Sequence, residues 1–210
     1  IKQYLTDRYS WDEATFCSID WHAIHSSIRS LSRAEHRFTT KLCFQQLPIG
    51  TRLRQRQSLA PQHCPACDAT LEDDWHWITC SYRLEWRTKQ VTTLSHRLVS
   101  LKTEPGLKII FLRAFKALLG TGDFSIPATD IFTASEQAVV DSQSAIGWRH
   151  LLFGRISSEW LRAQDAHVAT EKLDASKSSG ATWATEVTKH IWQHCIPQQH
   201  NYPNKQGHSR

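Results

Sequence analysis

Cys64, Cys67, His76 and Cys80 are the residues of this sequence whose types and spacing best fit a defined chemistry. Two residues separate the first pair, eight lie between the pairs, and three separate His76 from Cys80. A C-x2-C turn sets two thiolates on one side of an ion, and a His and a Cys four apart set two more ligands on one face of a helical turn. Eight residues are enough for the chain to return across the metal, and Pro65 stiffens the first turn. Three thiolates and one imidazole in a tetrahedron are the ligand set of a structural Zn²⁺ with no open position, so the spacing predicts one Zn²⁺ and no hydrolysis. His63 abuts Cys64 and is expected to be a surface imidazole. Glu72 and Asp73 precede His76 by four and three residues. On a helical turn either carboxylate would reach the second imidazole N–H.

Two other chemistries compete for these residues. Cys64-Pro-Ala-Cys67 has the spacing of a redox pair, but such pairs follow a strand and open a helix in a βαβ pattern, which does not surround it here. Asp73-Asp74 resembles the paired carboxylates of a polymerase. Those hold Mg²⁺ on a β-hairpin, whereas this pair lies between metal ligands on an expected loop. The sequence has no G-x-S-x-G, P-loop or H-E-x-x-H motif, and no catalytic residue is expected.

Charge is distributed unevenly around the cluster. From Arg29 to Arg56 there are seven basic residues and one acid, Glu35, a segment of +6. From Cys64 to Cys80 there are four acids (Asp68, Glu72, Asp73 and Asp74) and no Lys or Arg, a segment of −4. A basic arm before an acidic loop is the electrostatic footprint of a phosphate contact, and also of an ordinary solvated helix. The nucleic-acid candidates are Arg33, Arg37, Lys41, Arg52, Arg54 and Arg56, because an acidic loop repels phosphates. Trp75 and Trp77 flank His76, where they could stack on bases or pack the loop onto the helices.

The elements that must position these residues are helical. Ser18 is expected to cap a helix through Trp21, Ile24, Ile28 and Leu31. Ser32-Arg33-Ala34-Glu35 is a capping box opening a second helix. On it Ala34, Phe38 and Leu42 make an apolar stripe beside Arg33, Arg37 and Lys41, and Pro48 and Gly50 are expected to end it. If Thr51–Ser58 is extended, Arg52, Arg54 and Arg56 share one face; if it is helical, they scatter. Arg83–Leu101 reads as a helix with Leu84, Val91, Leu94 and Leu98 mostly on one side. Pro105 starts another whose face is Leu107, Ile110, Phe111, Ala114, Phe115 and Leu118, ended by Gly120. Helical periodicity resumes at Ser135, and Trp148, Leu152, Ile156 and Trp160 line one face. Asp174–Gly180 reads as a Ser-rich linker, and Trp183, Val187, Ile191 and Cys195 mark a last helix. Cys17, Cys43 and Cys195 read as small core residues. The expected fold is all-α, bundle-like helical layers with one Cys3His zinc-stapled loop. It divides into an N-terminal region with the basic arm and knuckle (1–104), a C-terminal helical region (105–195) and a disordered tail (196–210).

Length and composition fit that picture. The chain has 210 residues, 40% apolar and 21% charged, enough for a core and too apolar for general disorder. No apolar run reaches a membrane-spanning length and the first ten residues lack a signal-peptide core, so no membrane partner is expected. Six cysteines, three of them clustered with a His, favour a metal in a reducing, intracellular compartment, cytoplasmic or nuclear. The chain starts at Ile1 and contains no Met, so it is expected to be a piece of a longer polypeptide.

Lys41-Leu42, Leu47-Pro48 with Arg52-Leu53, Cys64-Pro65-x-Cys67, Glu72-Asp73, His76 and Cys80 occur in the order found in a known family. This stretch, roughly Arg33 to Trp86, resembles the zinc-binding region that follows the reverse transcriptase domain in non-LTR retrotransposon proteins. Ile146-Gly147-Trp148, Phe153-Gly154-Arg155 and Glu159-Trp160 look like a helical extension found downstream in some retroelement proteins. The resemblance implies a non-catalytic accessory piece of a mobile-element polyprotein. It would be bound to zinc through Cys64, Cys67, His76 and Cys80, would work with RNA or DNA, and would have the polymerase domain upstream in the same polypeptide. The three-residue spacing of His76 and Cys80 departs from the four more usual in that family.

Overall fold

A computed structural model of the chain describes residues 1–47, 49–57, 62–64, 66–67, 71–73, 75–127 and 130–195, without the side chains of Trp77 and Cys195. Pro48, Pro65, Asp68, Asp74, Cys195 as a core side chain, Trp77 as a stacking or packing residue, and the tail 196–210 therefore lie outside the described residues. The helices in order are α1 (Lys2–Tyr9), α2 (Glu13–Ser18), α3 (Trp21–Arg29), α4 (Arg33–Cys43), α5 (Gly50–Arg56) and α6 (His76–Thr79). Then come α7 (Leu84–Ser100), α8 (Pro105–Thr121), α9 (Ala134–Ile146), α10 (Ser158–Thr170), α11 (Ala175–Ser178) and α12 (Gly180–His190). The fold is all-α. Among the described residues, extended pairing is limited to the isolated bridges Ile19–Ser157 and His63–Leu71.

Several helix starts follow from local side chains. Ser32 and Glu35 make the capping box at α4, with Ser32 N–H on Glu35 Oε2 (2.7 Å) and Glu35 N–H on Ser32 Oγ (3.4 Å). Pro105 occupies the first turn of α8, and Gly122 (φ 78°) ends it in the left-handed region that favours glycine.

Other elements differ from the sequence expectation. Ser18 ends α2 rather than capping α3; Asp20 caps α3, because Ile19 is drawn extended against Ser157. Helix α4 stops at Cys43, and Gly50 opens α5 instead of closing α4. Ala34 is exposed, and α4 buries Thr39 and Leu42. On α7 Leu84 points out, 63% exposed, while Arg87, Gln90, Leu94 and Leu98 point in. The run from Ser135 to Trp160 is broken at Gly147 (φ 98°) and Gly154 (φ 71°) into α9, a 3₁₀ segment over Trp148–Phe153, and α10. Asp174–Gly180 is packed, not a linker: Ser178 is buried, Gln164 Nε2 donates to its carbonyl (3.0 Å), and Gly180 N–H donates to Asp165 (2.7 Å). Cys17 is exposed rather than core.

The main core runs across residue 104. Ala23, Leu42, Ile78, Leu94, Phe111, Phe115, Trp160, Trp183 and Trp192 belong to one buried cluster. Trp160 and Trp183 stack with ring centroids 5.8 Å apart, and Phe111 meets both edge-on. The stacked pair is anchored through its indole N–H groups, Trp160 donating to Gln143 Oε1 (3.2 Å) and Trp183 to Thr103 Oγ1 (2.9 Å).

A second lock carries a buried charge. The Arg155 guanidinium is caged by the rings of Tyr9, Trp11 and Phe153, at 4.8, 5.5 and 5.3 Å. It donates to the Cys43 carbonyl (3.0 Å) and to His150 Nδ1 (2.8 Å). Burial, followed by the Arg155 charge, pushes the His150 imidazole down to about 3. The unfolded chain therefore takes up a proton below pH 6.5 that the folded chain refuses, and stability falls as pH drops from 6.5 towards 3. Between pH 7 and pH 5 this group alone should remove about 2 kcal/mol. His150→Gln keeps an acceptor for Arg155 without the titration. Denaturant unfolding at the two pH values should show a shallower acid loss in that variant; an identical loss would contradict the assignment.

Candidate metal centre

The Cys3His group comes together from three short pieces of chain. Cys64 follows the bridge residue His63, Cys67 ends a turn, and His76 and Cys80 bracket the single turn of α6. The four ligand atoms all lie within 4.8 Å of one another. Cys64 Sγ and Cys80 Sγ are 3.8 Å apart, and Cys67 Sγ is 3.3 Å from His76 Nε2. A disulfide would bring sulfurs to about 2.05 Å, so Cys64 and Cys80 are not bonded to each other. Tetrahedral zinc with Zn–S near 2.3 Å sets its sulfurs about 3.8 Å apart. The donor set and spacing fit one such ion.

Burial decides which form of the thiols the site can hold. Cys64, His76 and Cys80 are buried, and Cys67 is half-buried. Burial, reinforced by the neighbouring Cys64 and Cys67, pushes the Cys80 thiol up to about 12. A thiolate in that position forms at neutral pH when a cation stabilises it.

Neighbouring groups hold the loop from both sides. Asp73 Oδ1 accepts from the backbone N–H groups of Trp75 (2.9 Å) and His76 (2.7 Å), which starts the α6 turn. The lookalike carboxylate is thus a cap for backbone amides. Glu72 is buried, and its Oε2 accepts from Gly50 N–H (2.8 Å) at the N-terminus of α5. Its carbonyl accepts from Thr51 N–H (3.1 Å) and Thr51 Oγ1 (3.0 Å), and its own N–H donates to the Gln62 carbonyl (2.8 Å). Both acids expected beside the imidazole therefore engage backbone amides. His63 is exposed, as its position beside Cys64 predicts.

Arg87 is a residue of the site that its spacing does not announce. It is buried on α7 and donates through one nitrogen to the carbonyls of Ile78 (2.8 Å) and Cys80 (2.5 Å) at the end of α6. Burial lowers the pKa of its guanidinium, and the neighbouring Cys80 opposes that shift. The only sequence signal is an Arg seven residues after the last ligand, one turn into the next helix. Arg87→Met should cost about 2–3 kcal/mol, because it removes two charge-assisted bonds and leaves the Cys80 carbonyl with only the Arg83 N–H (3.0 Å). Denaturant midpoints of the metal-loaded proteins measure this; a change under ~0.5 kcal/mol would show that Arg87 does not hold the turn.

The predicted phosphate contacts fall on two helices. Arg33, Arg37 and Lys41 are exposed on one stripe of α4. Arg52, Arg54 and Arg56 lie on α5 and scatter round it, Arg52 half-buried and the other two exposed. Arg56 donates to Gln46 Oε1 (3.3 Å) in the loop after α4, so the two helices are linked near their basic ends. Trp75 packs inward: its ring is 5.8 Å from that of Phe153, with the Arg149 guanidinium 4.9 Å from its centroid. Tyr82 is the exposed aromatic beside the last ligand, 58% accessible. No family model, curated protein or solved structure matches this chain.

Proposed function

We propose that this chain is a non-catalytic, zinc-stapled nucleic-acid-binding module, an accessory region of a retrotransposon reverse-transcriptase-like polyprotein. The resemblance around Arg33–Trp86 supports the family part of that reading. One observation carries the biochemical part: the Cys3His loop is hydrogen-bonded through Glu72 to Gly50 and Thr51, the first turn of the helix bearing Arg52, Arg54 and Arg56. Zinc then sets the direction of a basic arm. The metal is zinc because closed Cys3His tetrahedra select it, and its role is structural. RNA or DNA is the partner, the polymerase domain of the parent lies upstream, and the setting is intracellular. Asp73 caps backbone amides, so the module neither polymerises nor cleaves. Primer extension by the purified chain that vanishes in Asp73→Asn would contradict this.

Gly50 separates arm geometry from arm charge. A Cβ there would stand 2.7 Å from the Gln62 carbonyl oxygen, which is backbone and cannot swing away. Gly50→Ala should keep zinc and every arginine, yet loosen α5 from the loop at a cost of about 1–3 kcal/mol. Binding of a labelled single strand, followed by anisotropy, should weaken. Unchanged affinity would favour the second reading, a structural or protein-interaction module whose zinc only staples helices. The packing of Trp75 on Phe153 and of Ile78 in the main core is what favours that reading.

A further inference from the structure

Helices α7 and α8 form a hairpin whose outer face is more apolar than a solvated surface needs. Leu84, Val99 and Ile109 are 63%, 53% and 56% exposed. Val91 and Leu112 are half-buried beside them. Between the helices runs a groove of about 310 Å³ floored by Leu84, Val91, Leu119 and Gly120. Gly120 is unusual there. It sits inside α8, where glycine is a poor helix former, and Gly122 already supplies the left-handed cap. A Cβ at Gly120 would meet nothing within 4 Å, so no packing among the described residues calls for glycine. The space above it is open to a side chain from elsewhere.

Charge says what kind of side chain comes with it. Residues 84–121 hold seven basic residues and two acids, Glu85 and Glu104. Arg97 pairs with Glu186, Arg113 pairs with Asp130, and Arg87 is committed to the α6 carbonyls. Lys89, Lys102, Lys108 and Lys116 make no salt bridge among the described residues. Lys116 lines the groove and Lys102 and Lys108 flank Val99, and an aliphatic stripe bordered in this way complements a helix that is apolar on one face and acidic beside it. A phosphate backbone would use the lysines but gain nothing from Leu84, Val91, Val99 and Ile109, which offer no aromatic platform for bases.

We infer that the outer face of the α7–α8 hairpin docks an amphipathic, acidic-flanked helix of another polypeptide, one apolar side chain of which enters the groove over Gly120. This surface is separate from the basic arm and does not depend on the nucleic-acid reading.

The test uses the full, zinc-loaded chain, isotopically labelled, and two synthetic helical peptides about five turns long. Both carry Leu along one face; the rest of each is Glu in one and Lys in the other. The Glu peptide should shift the amides of Leu84, Thr88, Lys116 and Gly120 saturably. Binding should weaken about tenfold in Leu84→Gln, a change at an exposed position that leaves folding intact. Gly120→Leu should fill the groove and block binding while α8 remains helical, and Lys116→Gln should reduce the salt dependence. Any one of three results would overturn the proposal: no shifts at the groove with the Glu peptide; equal affinity for the Lys peptide; or a single-stranded oligonucleotide shifting the same amides more strongly. Self-association in sedimentation that Leu84→Gln abolishes would also overturn it, by making the occupant a second copy of this chain.

Discussion

Stripping the metal with an excess of chelator at neutral pH should free the Cys3His loop and α5 while α7 to α12 stay folded. The three thiols would then be protonated in a buried site with no cation to hold them, Cys80 with its acidity already pushed to about 12 by burial. Among the described residues, the ties of the loop through Glu72, Asp73 and Arg87 are bonds to backbone groups that presuppose its shape. Structural zinc sites contribute apparent binding free energies of about 10–16 kcal/mol at neutral pH, far more than these bonds together. The later helices have their own support in the Trp160–Trp183–Phe111 cluster. Elemental analysis should give one zinc per chain, and hydrogen exchange should show protection lost at Gly50–Arg56 and His76–Thr79 before α8 or α12. Cys64→Ser should reproduce the chelated state. A folded protein without zinc, in which Cys64, Cys67 and Cys80 all react freely with a thiol reagent, would show that no metal holds the loop.

The second large effect concerns salt. If about four phosphates are neutralised by the exposed cations of α4 and α5, log affinity for a single strand should fall with log salt at a slope near −3. Arg54 and Arg56 are exposed on α5, so changing both to Gln should shallow that slope by about 1.4. Adding Arg52→Gln should contribute about 0.7 more if that half-buried side chain also reaches the strand. Asp73→Asn is a clean test of the loop's sign, since the amide oxygen can still cap Trp75 and His76 while the charge is gone. Binding should tighten if the carboxylate only repels phosphate, and weaken if its charge is needed to orient His76. No binding by the zinc-loaded chain at low salt would end the nucleic-acid reading and leave a structural module. A slope unchanged by the α5 substitutions would place the contacts elsewhere.

Much of this molecule was legible in its sequence because the signals are local. Ligand chemistry and spacing identified Cys64, Cys67, His76 and Cys80, since a tetrahedral ion needs a particular number and type of donors within a short length of chain. The Ser32–Glu35 capping box, Pro105 at the start of α8 and the apolar face from Leu107 to Leu118 follow from backbone and rotamer preferences that act within a turn or two.

What only the tertiary structure decided depends on partners distant along the chain. Thr51–Ser58 was compatible with strand or helix; Glu72, twenty-two residues after Gly50, accepts the Gly50 amide at the start of the helix and makes Gly50 an opening rather than an end. Asp174–Gly180 has the composition of a linker, but Gln164 and Asp165 supply its backbone with partners, so it packs. Arg87 looks like any helix-surface arginine until folding brings the carbonyls of Ile78 and Cys80 within reach of its guanidinium. Spacing puts Glu72 and Asp73 near the His76 imidazole, yet backbone amides engage both, because unpaired N–H groups at the starts of α5 and α6 needed acceptors. Sequence spacing determined which side chains could bind a metal; long-range hydrogen bonds determined which parts of the chain that loop is tied to.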